Sequence, residues 1–166
     1  MAAEGLNSQG GVRGGMENTM TGGDNKVANQ NIASGTRFFV DMLGKAEWKL
    51  ADQLLAKDVV MHHPSSPVPV EGSDRVVGFL SAFRAGFPDM TMKVDLVFGT
   101  SEMVAVRWRM NGTHTADLFG IPPTGKKVTV VGISLLRFAD GKVVEDWVSE
   151  DSLGLMQQIQ VIPPLQ

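Results

Sequence analysis

Residues 128–149 read VTVVGISLLRFADGKVVEDWVS, and this stretch decides the fold. Two apolar runs, 128–138 and 143–149, flank the segment Ala139-Asp140-Gly141-Lys142. An Asp-Gly pair between such runs is a strong signal for a β-hairpin. Side chains alternate between the two faces of a strand, and the first run is apolar on both faces. We therefore expect a strand covered on both sides, by the core on one side and by a second subunit on the other.

A second strand pair precedes this hairpin. Segments 92–98 and 103–110 are joined by GTSE, and the loop LFGIPPTGKK separates them from the hairpin. Farther upstream, apolar residues recur at a spacing of three to four, which predicts helices over 27–43, about 48–55 and about 73–86, with a short strand at 58–63. A last helix is predicted from Asp151-Ser152. The fold class is α+β: a curved antiparallel sheet with helices packed on one face, forming a cone with an internal pocket.

Composition narrows the classes of function. The chain has 166 residues, a net charge of −3 and no cysteine, so disulfides, thiolate metal sites and a cysteine nucleophile are excluded. No cluster of Lys and Arg is present, so we expect neither nucleic acid nor a membrane surface as a partner. No apolar run approaches the roughly 20 residues of a membrane span, and no signal peptide is evident. The expected location is the cytoplasm.

Residues 1–26 differ in amino-acid composition from the rest of the chain. Residues 1–26 are rich in Gly, Asn, Ser and Thr, and such a segment buries too little surface to offset its ordering entropy. We expect a disordered tail over 1–26 and one domain over 27–166. Because soluble oligomers are most often two-fold dimers, the covered strand predicts a homodimer through the outer face of the sheet.

Alternation along the strands defines the wall of the expected pocket. One face of the strand at 103–110 is apolar, and one face of the next strand continues that surface. The residues expected to bind a small, largely apolar molecule are Val106, Trp108, Met110, Ser134, Leu136 and Phe138. On the last strand, alternation alone does not say whether Asp146 or Trp147 faces inward.

Titratable residues supply the candidates for chemistry. His62 and His63 are adjacent at a strand end, so they point to opposite faces, and His114 lies in NGTHTADLFG. With three histidines and no His-x-x-x-His spacing, no metal site is expected. Asp151 either caps the final helix or joins an acidic cluster with Asp146 and Glu150. The best acid/base candidates are Asp146, His62, His114 and Asp151.

The stretch GTHTADLFGIPPTGKKVTVVGISLLRFADGKVVEDWVSEDSLGLMQQI, with DVVMHHP and FRAGFPDMTMKVDLVF upstream, resembles the SnoaL-like polyketide cyclases, also called ester cyclases. The resemblance covers about residues 27–159. It implies the cone-shaped fold of nuclear transport factor 2 and ketosteroid isomerase, usually dimeric through the outer sheet face. It also implies an aldol-type ring closure by a histidine and an aspartate, without a metal or organic cofactor.

These two catalytic positions of the family fall at Ser134 and Val148, so neither side chain is retained. The same resemblance places Val148 in the pocket, which implies that Val144, Asp146 and Glu150 face inward and Trp147 outward. We therefore expect a cofactor-free cyclase- or isomerase-type enzyme that uses acid/base chemistry on a small apolar carbonyl compound. In this hypothesis Asp146 is the base, and His62 or His114 polarises the carbonyl. The alternatives are a non-catalytic binding module and an epoxide or ester hydrolase of the same fold.

Overall fold

Helices cover one face of a six-stranded sheet in the computed structural model, which describes residues 22–163. The chain begins with helix α1 (Gly22–Arg37), continues as a π-helix (Phe38–Leu43), and then forms a 3₁₀ turn (Trp48–Leu50) and the short helix α2 (Ala51–Leu54). The remaining elements are β1 (Leu55–His62), β2 (Val70–Glu71), α3 (Ser73–Ala85), β3 (Thr91–Gly99), β4 (Met103–Thr113), β5 (Lys127–Ala139), β6 (Lys142–Glu150) and α4 (Ser152–Gln158).

The strand order in the sheet is β2-β1-β6-β5-β4-β3. Strands β3 to β6 form an antiparallel meander, as the sequence predicts. Strand β1 pairs with β6 in parallel, so the sheet is mixed; it is curved and not closed. The observed fold confirms the prediction of an α+β domain in which helices pack on one face of a curved sheet.

A β-bulge changes the alternation in β6. The register between β5 and β6 shifts after the pair Arg137–Glu145, and Phe138 pairs with Val143. An extra residue on one strand interrupts the period of two. Val143 is therefore buried and Val144 only half-buried, contrary to the expectation from simple alternation, whereas Asp146 is buried as expected.

The first predicted helix is two elements. Helix α1 begins at Gly22, so residues 22–26, which the composition assigned to the tail, are helical here. The rest of that predicted tail, residues 1–21, lies outside the described residues. Near its end, α1 approaches the sheet closely: a Cβ atom on Gly35 would lie 3.2 Å from Leu136 and 3.5 Å from Val106. The lack of a side chain at Gly35 lets the helix cover this end of the inner face.

The outer face of the sheet keeps exposed apolar side chains. Val131, Ile133 and Leu135 on β5 and Trp147 on β6 are each at least 36% exposed in the single chain. Opposite them, the inner side chains of β5 are buried, which reproduces the expected strand that is apolar on both faces. Within residues 22–163, no helix combines the length and the apolar character needed to cross a bilayer.

Candidate active site

A narrow cavity lies between the inner face of the sheet and the helices. The atom-free space between its walls, including open solvent at its mouth, is about 470 Å³. Its wall is mainly aromatic, aliphatic and methionine side chains. The lining residues are Phe38, Phe39, Leu43, Met61, His63, Leu80, Phe83, Met90, Met92, Trp108, Met110, Val130, Ser134, Asp146, Val148 and Glu150. Four methionines in this wall can change rotamer at low cost, which suits a pocket that adapts to its ligand.

Trp108 occupies the central part of the wall because Gly132 leaves room for it. The two residues are paired across β4 and β5, and a Cβ atom on Gly132 would lie 2.3 Å from the indole ring. Phe39 stacks on the indole with ring centroids 5.9 Å apart. The indole Nε1 donates a hydrogen bond of 3.4 Å to Ser134 Oγ. Trp108 therefore supplies apolar surface and also orients a hydroxyl group in the cavity.

Asp146 is the carboxyl group of this wall. It is 3% exposed, and its Oδ1 atom has no hydrogen-bond partner among the described residues. Burial raises the pKa of the Asp146 carboxyl to about 7 from its usual 3.8, and hydrogen bonding with Ser134 opposes only part of that rise. A carboxyl group with this pKa exchanges protons near neutral pH, which is the requirement for a general base.

A second polar pair, His63 and Glu150, lies in the same cavity wall. His63 Nε2 is 3.7 Å from Glu150 Oε2, and the two side chains are 7% and 3% exposed. Burial lowers the pKa of the His63 imidazole to about 4. Burial also raises the pKa of Glu150, and the negative charge of Asp151 adds to this, while a hydrogen bond from Ser152 opposes it. At neutral pH His63 is therefore uncharged.

Sequence reasoning did not select His63, although a signal was present. In the strand segment DVVMHH, Val59, Met61 and His63 share one face, while Asp58, Val60 and His62 share the other. The charged Asp58 marks the second face as the outer one. Applied to the two histidines, that alternation places His63 inside.

His62 lies on the outer face of the sheet. Its ring stacks on Trp147 with centroids 5.5 Å apart and an angle of 3° between the planes. Its Nε2 atom is 2.9 Å from Glu145 Oε1. The structure thus does not bring His62 into the cavity, since the strand sends consecutive side chains to opposite faces.

His114 and Asp151 also lie outside the cavity lining. His114 is fully buried, and its Nδ1 atom is 3.1 Å from Thr124 Oγ1, so it holds the loop between β4 and β5. Asp151 is exposed and caps α4, accepting a hydrogen bond of 2.8 Å from the backbone N–H of Gly154. Of the expected acid/base residues, only Asp146 lines the cavity.

The expected binding residues divide into two groups. Trp108, Met110, Ser134 and Val148 line the cavity. Val106, Leu136 and Phe138 are buried but do not line it. Helix α1 packs on Val106 and Leu136 at Gly35, so this end of the inner face belongs to the solid core.

Ser134 and Val148 are directly paired across β5 and β6. The two positions at which the resemblance places a catalytic histidine and aspartate therefore lie side by side in the cavity wall. In this protein the carboxyl groups stand one step to either side of Val148 on the same face, at Asp146 and Glu150. No group of three or more His, Asp or Glu side chains arranged to hold a metal ion occurs in the part of the chain that the structure describes.

The fold and the cavity define a class of cone-shaped α+β domains that enclose a small, mostly apolar pocket with a few polar groups. The family model for SnoaL-like polyketide cyclases matches residues 33–159. The chain belongs to this family.

Solved structures agree with this assignment. A candidate SnoaL-like polyketide cyclase from Jannaschia sp. CCS1 is 26% identical, with a TM-score of 0.75 over 82% of this chain and 96% of that chain. IdmH, a candidate polyketide cyclase from Streptomyces antibioticus, is 26% identical, with a TM-score of 0.65 over 80% of this chain and 97% of that chain. TsrD from Streptomyces laurentii shares the fold at 17% identity, with a TM-score of 0.70 over 84% and 98% of the two chains. No curated protein was found to match this chain significantly.

Proposed function

We propose that this protein is an acid/base enzyme of the SnoaL-like family that acts on a small, apolar carbonyl compound, with Asp146 as the general base. The observation that carries the proposal is a buried carboxyl group in an apolar cavity, with one oxygen free of hydrogen bonds. Most buried polar side-chain atoms have at least one hydrogen-bond partner, and an exception calls for an explanation. An unpaired carboxyl oxygen in a cavity wall can take a proton directly from a bound substrate, as a general base must.

The chemistry follows from this placement. The ionised Asp146 removes a proton from the carbon next to a carbonyl group, and the electrons of that C–H bond form the enolate. In a ring closure the enolate carbon attacks a second carbonyl group of the same molecule, and a C–C bond forms. The new alkoxide then takes the proton back from Asp146. The proton and electrons balance within the substrate and one carboxyl group, which agrees with the cofactor-free chemistry that the family resemblance implies.

The cavity wall supports this role of Asp146. Ser134 orders one side of the carboxyl group, and Trp108 holds Ser134 through its indole N–H. The apolar lining removes water, which makes the Asp146 carboxylate a stronger base and strengthens hydrogen bonds from donors in the wall to the developing charge.

A non-catalytic binding module is the second candidate. Ser134 and Val148 stand where the family resemblance places the catalytic pair, and neither is a proton acceptor at neutral pH. The same apolar cavity would then bind a ligand without turnover.

Hydrogen exchange in D₂O separates the two candidates. We would incubate the protein with 2-tetralone, 1-indanone and anthrone, which carry acidic C–H bonds next to a carbonyl group or aromatic rings, and follow deuterium incorporation by NMR. The enzyme accelerates exchange, and Asp146→Asn lowers the rate by about a hundredfold or more with little change in affinity.

The matched control is Asp140→Asn, the same change in the exposed turn between β5 and β6. Its backbone is left-handed with φ of 50°, a conformation that asparagine also tolerates. Binding of these ketones without exchange would favour the binding module. Full activity of Asp146→Asn would remove Asp146 from the mechanism. Turnover of styrene oxide or phenyl acetate instead would indicate the hydrolase.

A further inference from the structure

His63 is held in one orientation and one tautomer. The backbone N–H of Ser65 donates a hydrogen bond of 3.2 Å to His63 Nδ1. Because Nδ1 accepts, the neutral ring carries its proton on Nε2. Phe79 packs on the imidazole with ring centroids 4.9 Å apart. The ring is thus preorganised, with its N–H donor at Nε2.

Among residues 22–163, no acceptor lies at hydrogen-bond distance from this donor. The nearest charged atom is Glu150 Oε2 at 3.7 Å, beyond the usual length of an N–H···O bond. The other oxygen of Glu150 accepts from Ser152 Oγ at 3.2 Å. The low pKa of His63 agrees with a neutral ring, which donates without carrying a charge. The Nε2–H group is therefore available to a molecule in the cavity.

The charges of the wall select against anions. Asp146 and Glu150 both line the cavity, and no Lys or Arg does so among the described residues. An anionic ligand would lose its hydration and meet two carboxyl groups without a counter-charge. The ligand that fits these groups is uncharged and carries a hydrogen-bond acceptor.

His63 and Asp146 line the same cavity from two neighbouring strands, β1 and β6. Met61 pairs with Asp146 between β1 and β6, and His63 lies two residues farther along β1. At about 3.3 Å per residue, the two Cα atoms are offset by about 7 Å along the strands. Both side chains line this narrow cavity, so one small ketone bound in it can contact His63 and Asp146 together.

We propose that His63 donates a hydrogen bond from Nε2 to the carbonyl oxygen of an uncharged ketone bound in this cavity, while Asp146 acts on the carbon next to that carbonyl. This rests on the proposed function for the role of Asp146, but the hydrogen bond can be measured without turnover. When the proton moves from carbon to Asp146, the electrons of the C–H bond move toward the carbonyl oxygen. The Nε2–H bond stays on His63 and stabilises that charge.

Two variants distinguish the effect of the Nε2–H donor from the effect of the shape of the imidazole ring. In His63→Asn, the side-chain oxygen can still accept from Ser65, but no group reaches the position of Nε2. In His63→Gln, the side-chain amide places an N–H donor close to that position. His62→Asn is the matched control, since it is the same substitution one residue away on the outer face. Circular dichroism verifies that each variant is folded.

The direct readout is the infrared carbonyl stretch of bound 2-tetralone. We expect it at lower wavenumber than in apolar solvent for the wild type and His62→Asn, and close to the apolar-solvent value in His63→Asn. His63→Gln restores part of the shift. The rate of exchange in D₂O falls about a hundredfold in His63→Asn and less in His63→Gln.

The outcomes distinguish this inference from the proposed function. An unchanged stretch and an unchanged rate in folded His63→Asn would overturn it, even if Asp146 proves to be the base. A carbonyl shift that depends on His63, in a protein that exchanges no deuterium, supports the hydrogen bond and contradicts the enzyme. Failure of the wild type to bind 2-tetralone, 1-indanone and anthrone would refute the ligand class.

A separate experiment tests whether the cavity disfavours anionic ligands. Tetralin-2-carboxylate has the same two fused rings as 2-tetralone but is an anion at pH 8. We expect calorimetry to detect binding of the ketone and none of the carboxylate at the same concentration. Equal affinity for the two compounds would show that the cavity does not select uncharged ligands.

Discussion

Single residues of the cavity wall reflect a conflict between stability and reactivity. Asp146 is removed from water and is only partly compensated by Ser134, so its charged form is unfavourable in the folded protein. His63 is likewise kept uncharged by burial. Such groups lower stability at some pH values, and they persist where their altered protonation serves a function.

The pH dependence of the free energy of unfolding tests whether the charged form of Asp146 is unfavourable in the folded protein. Its pKa is about 7 in the folded protein and 3.8 when it is exposed. Between these values the folded state holds a proton that the unfolded state has released, so the free energy of unfolding decreases as the pH rises from about 4 to about 7. Asp146→Asn removes this decrease in the free energy of unfolding, because the amide does not titrate. Relative to the wild type, the variant gains up to about 4 kcal/mol between pH 4 and pH 8.

Urea unfolding at the two pH values measures this difference. The lowered pKa of His63 acts in the opposite direction, because the unfolded state binds a proton below pH 6.5 that the folded ring refuses down to about 4. That contribution is present in both proteins and cancels in the comparison. If the stabilities of wild type and variant change in parallel with pH, Asp146 does not have the raised pKa.

Among the elements, the π-helix contributes three side chains to the cavity wall. Phe38, Phe39 and Leu43 all line it, and the change from α1 to a wider turn alters their directions. π-Helical turns occur frequently at functional sites. Arg84 on α3 holds the end of this element. Its guanidinium donates to the carbonyl oxygens of Leu43, Gly44 and Met90 at 2.9 to 3.1 Å.

Replacing this guanidinium should loosen the cavity wall. Arg84→Met leaves three carbonyl groups without their donor, and we expect the free energy of unfolding to fall by about 2 kcal/mol. Affinity for 2-tetralone should fall as well, since Leu43 and Met90 line the cavity. Arg75→Met is the control, because Arg75 is exposed in the first turn of the same helix. Equal stability of the two variants in thermal unfolding would contradict a supporting role for Arg84.

At the scale of the whole molecule, the outer face of the sheet exposes large apolar side chains. Val131, Ile133 and Leu135 follow one another on the outer face of β5, and Trp147 lies beside Leu135 because the two are paired across β5 and β6. We propose that a second copy of the chain covers this outer face. The family resemblance implies dimers through this face, and an exposed apolar patch favours association.

A charge in this surface should prevent the dimer. Ile133→Glu buries an unpaired carboxylate in an apolar interface, which costs several kcal/mol, so the dimer dissociates. Analytical ultracentrifugation at micromolar concentration measures the change. Leu153→Glu is the matched control, because Leu153 and Ile133 are each 47% exposed but Leu153 lies on α4. A wild-type chain that sediments as a monomer would rule out the proposed interface.

Local patterns in the sequence determined the strands of the meander, the Asp-Gly hairpin and the inward direction of Trp108, and they gave the cap at Asp151 as one of two interpretations. Each depends on residues close together in the chain, through the period of two along a strand or the hydrogen bond of an N-cap. The buried Asp146 was also predictable once the resemblance oriented the last strand.

The tertiary structure decided which histidine belongs to the cavity and where the cavity ends. His63 meets Glu150 only because β1 pairs in parallel with β6, a contact between segments more than 80 residues apart. Val106 and Leu136 became core because α1 packs on them at Gly35. The bulge in β6 placed Val143 inside. Alternation divides the side chains of a strand into two sets, but only the packing of distant elements decides which set is inside and what covers it.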